Sequence, residues 1–152
     1  MNVAQLKRLC RELPHATEAL YGEPWNWLVY SIGSRKFAYF KTSEPERWRF
    51  STRVAPDRFI ELTDVPGVKP ARYRGRFGWI TIVNVHAFPA AYLEELVQWS
   101  YQKAFGSLSR AEQIACAQST TGAERRSART RKRVIVSPPP RVTQYDRARK
   151  GG

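Results

Sequence analysis

PGVKPARYRGRFGWITIV, residues 66–83, combines a basic turn region with an apolar strand. In its first half Pro66, Gly67 and Pro70 punctuate the chain, because proline fixes φ and glycine permits positive φ. Lys69, Arg72, Arg74 and Arg76 fall within eight positions, with Tyr73 between two of the arginines and no acidic residue in the run. The second half predicts a strand over 77–83: Trp79, Thr81 and Val83 on one face, Ile80 and Ile82 on the other. A cationic loop feeding an apolar strand reads as a wing anchored to a sheet.

Towards the C-terminus, Pro89 opens the longest predicted helix, which runs through Phe105. Leu93, Leu96, Val97, Ser100, Tyr101 and Ala104 recur at helical spacing and form one apolar stripe. Trp99 falls on the polar side of that helix, where it is a candidate interface residue. Ser109 and Glu112 make a capping box for a last short helix ending near Gln118.

Towards the N-terminus, Pro56 and Asp57 start a short helix with Phe59, Ile60 and Leu62 facing inward. Trp48 to Val54 alternates, with Trp48, Phe50, Thr52 and Val54 on one face and Arg49, Ser51 and Arg53 on the other. That pattern predicts a half-buried antiparallel strand with a basic outer face. WNWLVYSI (25–32) and KFAYFK (36–41) pair as a hairpin around Gly33-Ser34. HATEALYGEP (15–24) reads as a loop. Asn2 caps a first helix that carries Val3, Leu6, Leu9 or Cys10, and Leu13 at helical spacing and ends at Pro14.

These elements predict an α+β fold over residues 1–118. It has two layers: an antiparallel sheet, and flanking helices over 1–13 and 89–105. The remainder, 119–152, is rich in Ser, Thr, Gly, Pro and Arg and is expected to be a disordered cationic tail. Within it Val134, Ile135 and Val136 form the sole apolar run, able to add to a sheet edge. Ten of the 26 Lys and Arg but only two of the 13 Asp and Glu fall in residues 115–152, which therefore carry +8 of the net charge of +13. Such an excess favours a polyanionic partner. Arg125, Arg126, Arg129, Arg131, Lys132 and Arg133 form its densest block, suited to sequence-blind attraction to phosphates.

Two cysteines, Cys10 and Cys116, stand far apart on separate predicted helices and are expected as free thiols in a reducing cytoplasm. No Cys/His cluster has metal-ligand spacing, and His15 and His86 stand in separate loops, so neither metal nor cofactor is expected. No GxSxG, Walker or GxGxxG motif occurs, and enzymatic activity is not expected. No apolar stretch approaches the length of a membrane span, so a membrane role is not expected either.

LPHATE (13–18), KFAYF (36–40), DRFIEL (57–62), PGVKPARYRGRFGW (66–79) and LEELVQWSYQKAF (93–105) occur in an order that resembles the MmcQ/YjbR-like family of small bacterial proteins, over roughly residues 3–114. The resemblance implies a CyaY-like fold, a helix-flanked antiparallel sheet also described as a double-wing DNA-binding motif, and with it DNA binding. Many members carry a His and a Lys before the tryptophan. Here RYRGRFG stands instead and keeps the charge as arginine.

On this reading Lys69, Arg72, Arg74 and Arg76 contact phosphates, Tyr73 stacks on a base or sugar, and Arg49 and Arg53 extend the surface. The plainer reading of the same residues is a solvated loop and an ordinary polar sheet face. Trp25, Trp27 and Trp79 read as core or half-core residues. DNA is the expected partner, at the nucleoid within the cytoplasm. RNA stays open, as does the alternative of a protein-interaction module that carries a tail sticky to nucleic acid.

Overall fold

A computed structural model of the chain describes residues 1–118 and 134–136. The elements follow in the order α1 (Val3–Glu12), β1 (Ala16–Tyr21), β2 (Trp27–Ile32), β3 (Arg35–Lys41), β4 (Phe50–Arg53), α2 (Pro56–Thr63), β5 (Val68–Pro70), β6 (Trp79–Ile82), α3 (Ala90–Gly106), α4 (Arg110–Gln118) and β7 (Val134–Val136). The strands form one sheet in the order β5-β6-β4-β3-β2-β1-β7. The first six are antiparallel, and β7 joins the β1 edge in parallel. The fold is the expected α+β one.

Local chemistry accounts for the helix ends. Asn2 accepts from the Gln5 N–H, and the Gln5 side chain accepts from the Asn2 N–H, each at 2.8 Å, so two orphan donors of α1 are satisfied reciprocally. Ser109 accepts from the Glu112 N–H at 3.1 Å and caps α4. The whole predicted stripe of α3, Leu93 through Ala104, is buried. It packs in one cluster with Leu6 and Cys10 of α1, Leu62 of α2, and the inward residues Tyr30, Phe40, Phe50, Ile80 and Ile82 of the strands. The helices thus cover one sheet face. Among the described residues the other face has no helical layer.

A bulge in the β2–β3 pairing at Tyr30/Ser31 ties the layers together. The Phe37 carbonyl accepts from Ser100 Oγ of α3 at 2.6 Å and from Thr52 Oγ1 at 3.0 Å. Ser100 Oγ also accepts the Arg53 N–H at 3.3 Å. The β2–β3 turn favours glycine through its positive φ, and a side chain there would also displace two neighbouring side-chain ends. Gly33 has φ +56°, and a Cβ there would stand 2.8 Å from Glu112 Oε2 and 2.9 Å from Leu108 Cδ2.

Several expectations need correction. Residues 15–24 are not all loop: Ala16–Tyr21 is β1, paired with β2 from Ala16↔Ile32 to Tyr21↔Trp27. Its Ala and Glu content gives little strand propensity, and pairing overrides it. Part of the wing is also strand, since Val68–Pro70 pairs with β6. The Trp48–Val54 strand shortens to Phe50–Arg53, because Trp48 takes φ +66°. The 77–83 strand shortens to Trp79–Ile82 behind a 3-10 turn over Gly75–Phe77. Ile60 faces outward and is 70% exposed. Val134–Val136 is a strand whose backbone pairs with β1, the sheet-edge addition its apolar run allowed. The rest of 119–152 lies outside the described residues. No described helix is long and apolar enough to cross a membrane.

Candidate nucleic-acid interface

The alternation that buries one side of each strand assembles the other side into a surface. Trp27 is opposite Lys41, Tyr39 is opposite Ser51, Ser51 is opposite Thr81, and Arg53 is opposite Trp79. Four rings form a chain across this face. Trp25 and Trp27 have ring centroids 5.8 Å apart, Trp27 and Tyr39 5.5 Å, and Tyr39 and Trp79 5.6 Å, all tilted. Between the rings the Ser51 and Thr81 hydroxyls share a hydrogen bond of 2.8 Å.

The cations named from the sequence border this surface. Arg49 and Arg72 line a cavity of about 220 Å³ together with Tyr73, Trp25, Trp27, Tyr39 and Lys41. Tyr73 reaches it from a left-handed backbone, φ +69°. Arg53 and Arg74 line a second cavity, about 360 Å³, with Lys36, Ser31, Trp79 and the β2–β3 turn. The Arg74 guanidinium lies over the Trp79 ring, 5.4 Å from its centroid. Gly78 makes that return possible: it takes φ +86°, and a Cβ would meet the Val54 carbonyl oxygen at 3.1 Å. Lys69 is exposed on β5 opposite Thr81. Arg76 is exposed, its guanidinium 4.9 Å from the Phe77 ring, and lines neither cavity. Arg125, Arg126, Arg129, Arg131, Lys132 and Arg133 lie outside the described residues.

The run of cations that no acid interrupts in sequence meets one in space. The Glu46 carboxylate lies 3.3 Å from Arg49 and 3.9 Å from Arg72. Lys41, whose ammonium donates to the Trp25 carbonyl at 3.1 Å, has its pKa pulled down by burial; Glu46 opposes that shift and Arg72 adds to it. The sequence reading missed Lys36, Lys41 and Tyr39 as site residues and set Trp25 and Trp27 aside as core or half-core. Both tryptophans are half-buried and outside the main hydrophobic cluster. The missed signal was the outward half of each period-2 pattern, which carries rings in β2 and β3 and cations in β3 and β4. Among the described residues no three His, Cys, Asp or Glu side chains group to hold a metal ion.

The YjbR family model matches residues 11–103. The chain belongs to the YjbR family. This YjbR chain is 27% identical to Deinococcus radiodurans protein DR2400, a crystal structure with the domain DUF419; the two superpose with TM-score 0.65 over 76% of this chain and 88% of that one. A Pseudomonas syringae protein of known structure is 18% identical, with TM-score 0.56 over 68% of this chain and 99% of that one, and shares the fold. No curated protein matches the chain. The motif order that resembled the family therefore identified it correctly.

Proposed function

We propose that this YjbR-family chain is a non-enzymatic DNA-binding protein. Its outer sheet face and wing take phosphates, and its arginine-rich tail adds sequence-blind attraction. The observation that carries the reading is convergence. Arg49, Arg53, Arg72 and Arg74 come from separate parts of the chain; Arg49 and Arg72 line one cavity of the outer face, and Arg53 and Arg74 line a second that also includes Ser100, Ala104 and Ser107 from α3 and its C-cap. Convergent guanidiniums are suited to phosphate oxygens. Donors held by strand and ring contacts lose less entropy on binding than donors in a tail.

A salt titration on duplex DNA separates the two basic elements. Each phosphate neutralised contributes about −0.9 to the log–log slope. Replacing Arg125, Arg126, Arg129, Arg131, Lys132 and Arg133 with Gln is expected to weaken binding at low salt and flatten the slope. Replacing Arg53, Arg72 and Arg74 with Gln is expected to lower affinity again in that tail variant. If the second set changes nothing at any salt concentration, the face is not a DNA surface. The alternative, a protein-interaction module, is favoured by Trp99 and Ile60, which are 37% and 70% exposed. A wing variant that matches its parent on DNA supports that alternative.

A further inference from the structure

The ring-lined cavity of about 220 Å³ offers three kinds of contact within one small space. Trp25, Trp27 and Tyr39 supply half-buried rings whose centroids follow one another at 5.8 and 5.5 Å. Ser51 and Thr81 supply a polar strip beside them, joined by a hydrogen bond of 2.8 Å. That bond uses one hydroxyl hydrogen of the pair. Among the described residues neither hydroxyl makes another hydrogen bond, so the second hydrogen and the remaining lone pairs are left to recognise a polar edge. Arg72 supplies charge. Its guanidinium stands 3.9 Å from Glu46, too long for a hydrogen bond, and its side chain is 66% exposed, so its donors stay available to a ligand. Arg49 instead donates to Glu46 at 3.3 Å.

Charge and size narrow the ligand. Lys41, Arg49 and Arg72 line the cavity with one carboxylate, Glu46. That surplus disfavours a methylated ammonium, which an aromatic cage would otherwise suit, and favours an anion. The volume falls below the roughly 300–1,000 Å³ of pockets for drug-sized ligands, so the cavity has room for one ring system. Tyr73 adds a fourth ring to the wall from a left-handed backbone, φ +69°, uncommon for a tyrosine. A nucleobase combines a flat face with a hydrogen-bonding edge, and the phosphate it carries is an anion that a guanidinium fork fits.

We propose that this cavity binds a single nucleotide, with the base stacked on Trp27 and Tyr39, its polar edge at the Ser51–Thr81 pair and its phosphate on Arg72. A free nucleotide and a nucleotide within a strand present the same ring and phosphate. The inference therefore does not depend on DNA binding by the wider face.

The test titrates the full chain with thymidine monophosphate, thymidine and inorganic phosphate, read on the indole N–H signals of a two-dimensional ¹H–¹⁵N spectrum. The monophosphate is expected to shift the signals of Trp25 and Trp27 saturably and to leave those of Trp48 and Trp99 in place. It is expected to bind about tenfold more tightly than thymidine, the worth of a charge-assisted hydrogen bond. Arg72→Gln is expected to remove that advantage and leave thymidine affinity unchanged. Trp27→Leu is expected to weaken monophosphate binding about 5- to 100-fold, the worth of one stacked base. Trp27→Phe keeps a ring and is expected to retain affinity, which separates stacking from any general loosening of the sheet; Trp25 is the reporter in both variants. An oligothymidine that displaces the monophosphate assigns the cavity to a nucleotide within a strand, and one that leaves it bound assigns the cavity to a free nucleotide. Equal affinity for monophosphate and inorganic phosphate overturns the inference. So does an Arg72→Gln variant that binds the monophosphate as the parent does, or a titration in which Trp25 and Trp27 do not move. A chain that takes the monophosphate but no DNA keeps the inference and loses the DNA reading; one that binds DNA but not the monophosphate does the opposite.

Discussion

The carboxylate of Glu46 lies between two of the arginines that the sequence marks for phosphate contact, 3.3 Å from Arg49 and 3.9 Å from Arg72. It holds their guanidiniums in place and cancels one of their charges. Glu46→Gln removes a negative charge beside the face while keeping the side chain's size. It is expected to strengthen DNA binding about two- to fivefold at low salt, an amount set by Coulomb interaction in a high-dielectric surface region and erased by screening. Equal affinity of parent and variant at low salt would contradict this role. The sequence places Glu46 three positions before Arg49 but could not disclose its pairing with Arg72, which crosses from the β3–β4 loop to the wing, 26 positions apart.

At the scale of elements, Ser100 joins α3 to the sheet. It donates to the Phe37 carbonyl at 2.6 Å and accepts from the Arg53 N–H at 3.3 Å, and it is buried. Ser100→Ala leaves Phe37 with only its Thr52 partner and the Arg53 N–H with none from this group. The expected cost is about 1–3 kcal/mol, the range for an unsatisfied buried polar group, read from urea unfolding. A variant as stable as the parent would show that these bonds do not hold the layers together. Helix α3 was legible because its stripe repeats over 12 residues, and a serine inside an apolar stripe was the available hint of a buried hydrogen bond. Strand β1 was not legible. Ala16, Glu18 and Ala19 carry weak strand propensity, and the buried Glu18 accepts from the Tyr30 hydroxyl at 2.5 Å with Arg11 3.6 Å away. Those partners stand on other elements and leave no local mark. The candidate site divides the same way. Arg49, Arg53, Arg72, Tyr73 and Arg74 were visible as charge and pattern. The role of Trp25 and Trp27 depends on which sheet face the helices cover, and amphipathic helices alone do not specify that.

At the scale of the whole molecule, one sheet face packs under the helices and the other carries rings and cations. The helices and the inward residues make a continuous core, while the outward residues of β2, β3, β4 and β6 bring rings and cations together. The five tryptophans sample this division. Trp25, Trp27 and Trp79 belong to the outer face, Trp48 packs against the core beside Lys7, and Trp99 is exposed on α3. Their indole N–H signals are resolved reporters in a two-dimensional ¹H–¹⁵N spectrum of the full chain. Titration with oligothymidine is expected to shift the signals of Trp25, Trp27 and Trp79 and to leave those of Trp48 and Trp99 in place. Shifts of Trp99 or Trp48 with the three outer-face indoles unmoved, or binding that moves no indole at all, would contradict the assignment of DNA binding to the outer sheet face.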